Sequence, residues 1–344
     1  MTDREIITIN NKTIINKTFF LRASLFMLFL CAALRLEIGS DYLLYQSIYN
    51  SSYEKYLSMG WVYTFESEFF RFLGLSFQYF IAFNSFIFML GIYILLKKFS
   101  NYKYISLLAF LGSYAYFSSF NGFRQYSSIS LVIISLILFY DKNKKITAIL
   151  IFLISLGIHK SSIMFLPLYL FYIIKIRHKN YIIILFICLF SFFLIPDSLK
   201  DLLFVKILNL DSFFLDKYSD TESITGLGRS VFNKIFFLFY WLATFIYVIY
   251  KYKEKKKLDW IDYIYLVFFI INGFLPFSNI VKRMSYLYEI FSLVIFSRLL
   301  TQKFSITTKN VFKIIIFSVF LVRLISTLMN NGDGVVPYKN IFYH

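Results

Sequence analysis

The feature that most constrains this chain is its alternation of long apolar runs with short basic segments. A membrane-spanning helix needs about 20 predominantly apolar residues, and on that template about 11 runs qualify. They cover approximately residues 19–38, 73–96, 103–120, 124–140, 146–158, 161–174, 181–196, 230–250, 260–276, 283–300 and 311–329. Lipid offers the backbone no hydrogen-bond partners, so such runs must be helical. We therefore predict an all-α polytopic membrane protein with about 11 transmembrane helices, built as a single multi-pass domain over residues 1–344.

Lysine and arginine assign a side of the membrane to each connecting segment. Every second segment carries at least three of them, as in Lys142, Lys144 and Lys145. Cytoplasmic loops hold such an excess, so we predict a cytoplasmic N-terminus and an outer C-terminus, in a bacterial inner (cytoplasmic) membrane. Two longer segments, 39–72 and 197–229, then face outwards. The second mixes acidic and apolar residues, which suits a short helix lying on the membrane surface.

Composition agrees with this class and excludes others. Hydrophobic residues make up 59% of the chain, which a soluble domain of 344 residues would not need. The net charge of +17 could suggest nucleic acid, but the cations lie in loops where orientation requires them. We therefore expect membrane lipids, not nucleic acid, as partners. With two cysteines and three histidines, the sequence contains no Cys/His cluster, and we predict no metal site and no cofactor.

One hairpin concentrates polar residues on the outer face. Arg124 opens the run 124–140, a lysine-rich turn follows, and His159-Lys160 end the next run. Because the turn is cytoplasmic, Arg124 and His159 must emerge together on the outer side. A guanidinium and an imidazole at one surface are suited to a phosphate-bearing lipid substrate. We predict Arg124 and Lys160 as substrate-binding residues and His159 as the general base.

Further charged residues reach the same face from separated parts of the chain. They include Arg35, Asp41, Glu66, Glu68, Arg71, Arg283 and Arg323. An arginine near a helix end often only snorkels to lipid headgroups, but a convergent set favours a substrate clamp for a pyrophosphate. Glu66 and Glu68 could provide a general base or a metal-binding pair, or could simply be solvated.

Aromatic residues are dense in the first outer segment. They are Tyr42, Tyr45, Tyr49, Tyr53, Tyr56, Trp61 and Tyr63. Tyrosine and tryptophan gather at membrane interfaces, and aromatic faces also stack on sugar rings. The sequence leaves both interpretations open.

Several short motifs together carry a resemblance. They are Gly39-Ser40-Asp41-Tyr42 with Glu66 or Glu68 after it, Phe123-Arg124-Gln125, Ile158-His159-Lys160-Ser161-Ser162, Arg283-Met284-Ser285-Tyr286, and Val336-Pro337-Tyr338-Lys339-Asn340. In their order and membrane side they resemble the EpsG-like polysaccharide polymerases, which are akin to the O-antigen polymerases (Wzy). The resemblance implies a multi-helix architecture like that of the GT-C glycosyltransferases.

What the resemblance implies is an enzyme of polysaccharide biosynthesis. A growing glycan would pass from undecaprenyl pyrophosphate to a lipid-linked acceptor on the outer face. The catalytic residues would be His159, Glu66 or Glu68. The substrate-binding residues would be Arg124, Arg283, Arg323, Lys160, Asp41, Arg71 and Tyr338. A flippase and a chain-length regulator would be partners. Two alternatives stay open, a flippase or transporter of lipid-linked oligosaccharide, and a related ligase or glycosyltransferase.

Overall fold

A computed structural model describes residues 8–9, 12–13, 17–51, 60–141, 143–200, 231–275 and 279–342. Within these ranges the chain is helical apart from two short antiparallel strands, Thr8–Ile9 and Lys12–Thr13. It divides into two compact units. The first contains Met1–Tyr169 and Phe317–His344, and the second contains Leu170–Ile316. The prediction of a single membrane domain stays a prediction, and each unit is described by itself.

The first unit contains most of the predicted site residues. Its helices are α1 (Lys17–Ala33), α2 (Tyr42–Asn50), α3 (Trp61–Phe72), α4 (Phe77–Phe99), α5 (Lys103–Gly112), α6 (Ala115–Asn121), α7 (Phe123–Asp141) and α8 (Lys145–Ile158). A 3₁₀ helix, Lys160–Tyr172, follows α8. The second unit contains α9 (His178–Leu194), α10 (Val231–Lys253), α11 (Trp260–Phe274), α12 (Asn279–Glu289) and α13 (Ser292–Leu299). The last long helix, α14 (Ile306–Met329), enters the first unit at Phe317 and is followed by a 3₁₀ turn, Gly332–Gly334.

The helices have the length and hydropathy expected of a membrane protein. Four of them, α4, α7, α10 and α14, are long and apolar enough to cross a membrane. Shorter apolar helices include α1, α5, α8, α9 and α11. The class of polytopic helical membrane protein therefore stands. The count of about 11 spans and the GT-C-like architecture remain predictions.

Three predicted spans differ from the helices observed. The run 103–120 is divided at Tyr114, whose left-handed φ of 71° cannot continue a right-handed helix. The run 283–300 is divided too, because α12 ends at Glu289 and α13 begins at Ser292. The run 19–38 ends early, because the backbone N–H of Leu36 donates to Lys339 O at 3.1 Å instead of to its own helix.

The run 161–174 is also not an α-helix, because Lys160–Tyr172 forms a 3₁₀ helix of 13 residues. A 3₁₀ helix rises about 2.0 Å per residue against about 1.5 Å in an α-helix. This segment is therefore roughly 26 Å long, where an α-helix of equal length would reach only about 20 Å. It returns along α7, where the hydroxyls of Ser135 and Tyr169 lie 2.6 Å apart and the Tyr140 hydroxyl donates to Leu168 O.

Helix ends in the first unit sort into two groups. At one end, which we call the basic end, Lys103 Nζ donates to Thr18 Oγ1 at 3.2 Å and Lys98 Nζ lies 2.9 Å from Asp141 Oδ2. At the opposite end, the site end, Arg35 Nη1 reaches Ser85 Oγ at 3.4 Å. The start of α1 thus lies beside the ends of α4 and α7 and the start of α5, which is the alternation that the lysine pattern predicts. The membrane side of each end remains a prediction.

Candidate functional site

The α7–α8 hairpin brings two predicted site residues to the same end. Arg124 is the second residue of α7, and His159 caps the C-terminus of α8. Ser128, one turn beyond Arg124, donates to Ser155 O at 2.8 Å and also bonds the Ser162 hydroxyl. Because these bonds hold the start of α7 against the end of α8, Arg124 and His159 share the site end, as the sequence predicts.

Two aromatic rings contact the Arg124 guanidinium. Its carbon lies 4.7 Å from the ring centroid of Tyr63 on α3 and 5.2 Å from that of Tyr45 on α2. A guanidinium above an aromatic face is attracted by the ring quadrupole, by roughly 0.5–2 kcal/mol. Stacking uses the flat faces, while the N–H donors lie along the edges in a planar fork. The two rings therefore orient Arg124 in a way that suits a phosphate.

These tyrosines belong to a packed core. Tyr42, Tyr45 and Tyr49 lie on one face of α2, because residues at i, i+3 and i+7 align on a helix. They are buried together with Tyr63, Phe77, Phe80 and Phe123. These buried tyrosines therefore do not stack on sugar rings, which was one of the two interpretations left open by the sequence. Trp61 is exposed, and Tyr53 and Tyr56 lie outside the described residues.

Glu66 is a buried carboxyl held by an amide. It is 7% exposed, and Asn84 Nδ2 donates to its Oε1 at 2.7 Å. The Ser127 hydroxyl donates to Asn84 Oδ1 at 2.8 Å, one turn of α7 from Arg124. Burial raises the pKa of Glu66 to about 8, against the opposing effect of the Asn84 hydrogen bond. At neutral pH the carboxyl is therefore mostly protonated, and it titrates just above neutrality.

Glu68 faces the other way. Residues two apart lie about 200° apart around a helix, and Glu68 is exposed between the exposed rings of Phe65 and Phe69. The two carboxylates cannot converge on one ion, so the metal-pair interpretation gains no support. In the part of the chain that the structure describes, no group of three or more His, Cys, Asp or Glu gathers.

A contact between two glycines holds α3 in place. Gly60 precedes α3 with φ of 123°, and a Cβ added there would lie 2.5 Å from Gly157 O. A Cβ on Gly157 would lie 2.3 Å from Val62 Cγ2. Since any side chain would push the helices apart, these glycines set the approach of α3 to α8. Sequence reasoning missed both glycines, and it missed Asn84 and Ser127.

The hydrogen bonds of His159 select its tautomer. The backbone N–H of Ser161 donates to His159 Nδ1 at 3.3 Å, and the Ser161 hydroxyl lies 2.6 Å from the same nitrogen. An imidazole nitrogen that accepts carries no proton, so the neutral ring carries its proton on Nε2. His159 is therefore set to donate from Nε2. Lys160, the next residue, begins the 3₁₀ helix and is exposed.

Arg35 is a buried cation with neutral acceptors. It is 1% exposed, and its Nη atoms donate to the carbonyls of Ala32 at 2.6 Å and Phe120 at 3.4 Å. The C-terminal tail adjoins it, because Arg35 forms a backbone bridge with Asn340. Tyr338 Oη donates to Cys31 O at 2.7 Å, which ties the tail to α1.

The remaining predicted residues lie at various places. Asp41 precedes α2 and its Oδ1 accepts from the Ser40 hydroxyl. Arg71 Nη1 donates to Ser51 O at 3.0 Å, joining the ends of α3 and α2. Arg323 is half-buried on α14, one turn after Phe320, which packs on Gly112 at the end of α5.

Arg283 belongs to the second unit. The predicted run 283–300 began the helix at Arg283, but α12 begins at Asn279. Arg283 is therefore its fifth residue. Its side chain lies outside the described residues. Glu289 on the same helix accepts from Tyr240 Oη of α10 at 2.7 Å, which joins α12 to α10.

Fold and site together define a helical membrane protein in which Arg124, Glu66 and His159 lie at one end of the first unit. The EpsG family model matches residues 18–340, nearly the whole chain. The chain therefore belongs to the EpsG family, as the motifs indicated. No curated protein matches it, and no solved structure does.

Proposed function

We propose that this chain is a polysaccharide polymerase that extends a lipid-linked glycan. The observation that carries the proposal is membership of the EpsG family, together with the placing of Arg124, Glu66 and His159 at one end of the first unit. The donor is a glycan on undecaprenyl pyrophosphate, and the acceptor is another lipid-linked repeat unit. The reaction takes place on the outer face of a bacterial cytoplasmic membrane, in an O-antigen or exopolysaccharide pathway.

The reaction needs a cation for the leaving group and a base for the acceptor. The acceptor hydroxyl attacks the anomeric carbon, the bond from that carbon to the pyrophosphate oxygen breaks, and the hydroxyl proton passes to the base. Arg124 binds the departing pyrophosphate through its planar fork of donors, which matches phosphate oxygens. Arg323 is proposed to assist, with Lys160 at the surface, and the predicted role of Arg283 stays a prediction.

The raised pKa of Glu66 favours this carboxyl as the base. Its carboxyl titrates with a pKa of about 8, and an effective base has a pKa near the working pH. His159 was predicted for this role, but its Nδ1 accepts from Ser161, and Nε2–H suits a donor to developing charge on the pyrophosphate. Glu68, on the opposite face of α3, is less favoured. Asp41, Arg71 and Tyr338 are proposed to shape the site through α2 and the tail.

The glycan made by a strain lacking this chain tests the proposal. A polymerase is indicated if single repeat units accumulate on the lipid carrier outside the membrane. If single repeats instead stay on the inner leaflet, the chain is a flippase. If long polymer accumulates on the carrier without transfer to its final acceptor, the chain is a ligase. Either of the last two results would overturn the proposal.

A further inference from the structure

We propose that a groove between α1 and α4 binds an anionic phospholipid, with one acyl chain in the groove and the phosphate at its basic end. This site is separate from the site end, and the proposal does not depend on the polymerase reaction. It stands on the shape of the groove and on the charges at one of its ends.

The groove has a volume of about 460 Å³, within the range of roughly 300–1,000 Å³ typical of ligand pockets. Its floor is formed by Leu25 and Met89, which are each 4% exposed. Its walls are aromatic and aliphatic, with Phe26 and Phe29 on α1 and Phe86 and Leu90 on α4. These apolar walls fit an alkyl chain and offer no hydrogen bonds to a sugar.

Two cations lie together at one end of the groove. Arg22 Nε donates to Tyr93 Oη at 3.0 Å, and the guanidinium carbon is 5.8 Å from the centroid of the Tyr93 ring. Lys97 Nζ lies 5.9 Å from the same centroid. Tyr93 therefore gathers a guanidinium and an ammonium at the mouth of an apolar channel. That pairing is complementary to a phosphodiester attached to an acyl chain.

The charged mouth lies at the basic end, away from the candidate catalytic residues. Along α1, Arg22 is separated from Ala33 by roughly 16 Å at about 1.5 Å per residue. A lipid pyrophosphate bound at Arg22 would thus lie a helix length from Arg124. The proposed occupant is therefore an anionic phospholipid and not the glycan donor, whose pyrophosphate is assigned to the site end.

Lipid binding to the purified full-length chain tests the site. Native mass spectrometry would compare phosphatidylglycerol with phosphatidylcholine of the same oleoyl chains. We expect wild type to prefer phosphatidylglycerol. A basic residue near anionic lipid contributes about 1 kcal/mol, equivalent to about fivefold in affinity. Arg22→Gln and Lys97→Gln should each weaken phosphatidylglycerol binding by about fivefold, and the double variant roughly 25-fold.

Two further variants separate charge from shape. Leu90→Trp fills the groove without changing charge, so it should weaken both lipids alike. Lys145→Gln removes an exposed cation at the same end of the unit but outside the groove, and should leave binding unchanged. Gel filtration and apparent melting temperature confirm folding, and the two charge variants decide the question even if Leu90→Trp fails to fold.

Two outcomes would overturn the proposal. If the Arg22→Gln/Lys97→Gln variant prefers phosphatidylglycerol as strongly as wild type does, the groove is not a specific site and is only covered by bulk lipid. Stronger binding of undecaprenyl phosphate than of phosphatidylglycerol, lost in the same variant, would assign the groove to the lipid carrier.

Discussion

Two regions of this protein bury charge, and they do so in opposite ways. In the second unit, Lys251 pairs with Asp262, and Arg298 Nη1 lies 2.8 Å from Asp259 Oδ2. Tyr247 Oη adds a hydrogen bond to Asp262 at 3.0 Å. Two cations thus meet two carboxylates, and Asp259 also caps the start of α11.

At the site end of the first unit, the buried ionisable groups meet neutral groups instead. Carbonyls and a serine hydroxyl accept from the Arg35 guanidinium. Glu66 is bonded by the amide of Asn84. Removing a charge from water is costly, and a buried charge that loses its partner is strongly destabilising. An ionisable group that contacts only neutral groups is not neutralised within the fold and can still interact with a charged ligand, which is typical of functional sites.

The largest expected effect breaks the paired region. Asp262→Ala removes the buried carboxylate that pairs with Lys251, and losing one partner of a buried pair typically costs about 3–5 kcal/mol. We expect little folded protein by gel filtration and a sharply lower apparent melting temperature. Lys257→Ala, at an exposed lysine, is the control and should behave as wild type. A stable Asp262→Ala variant would show that the cluster is not structural.

His159→Ala should reduce polymer formation by about 10²–10³-fold, as removal of a donor to developing charge usually does. The protein should still fold, in contrast to Asp262→Ala. His159→Gln can donate a hydrogen bond but cannot take up a proton. Substantial recovery in the Gln variant fits a donor role, whereas activity as low as in the Ala variant points back to His159 as the base. Polymer length and rate in isolated membranes provide the measurement.

Arg124→Lys keeps the charge over Tyr45 and Tyr63 but loses the planar fork. A hydrogen bond to a charged group contributes about 1.5–3 kcal/mol, so activity should fall about 10- to 100-fold with stability unchanged. Arg177→Lys, at an exposed arginine, should have no effect. Equal activity in both variants would leave Arg124 as a residue that only meets lipid headgroups.

The smallest effect is a pH dependence at Glu66. Its pKa in the folded state, about 8, lies above the ordinary value of 4.5. The folded state therefore holds a proton that the unfolded state releases, so this contribution to stability is full below pH 4.5 and is lost as pH rises towards 8. Glu66→Gln should flatten this decline in apparent melting temperature.

The activity of the same variant separates the two roles of Glu66. If the carboxylate is the base, wild-type rate rises with pH towards 8, and Glu66→Gln loses both the rise and most of the rate. A Gln variant with wild-type activity at every pH would remove Glu66 from the mechanism. Asn84→Asp would place a second carboxyl beside Glu66 and should raise the inflection further.

Sequence reasoning predicted the membrane class, the α7–α8 hairpin and the placement of Arg124 and His159 at the same end of that hairpin, because hydropathy and lysine position report them directly. It could not predict the division at Tyr114, where the backbone adopts a left-handed φ, or the 3₁₀ helix, since hydropathy does not distinguish one backbone conformation from another. Asn84 and Ser127 were missed for a similar reason. A polar residue in an apolar helix becomes meaningful only once its partner, Glu66, is known to face it.

The hydrogen bond from Tyr338 to Cys31 joins residues 307 positions apart in sequence. The first unit takes its last segment, Phe317–His344, from beyond the whole of the second unit. During synthesis at roughly 5–20 residues per second, on the order of ten seconds or more separates Tyr169 from Phe317. During that interval α1 and the segment around Arg35 lack the backbone bridge that Asn340 later forms with Arg35. The first unit to emerge from the ribosome is thus the last to be completed.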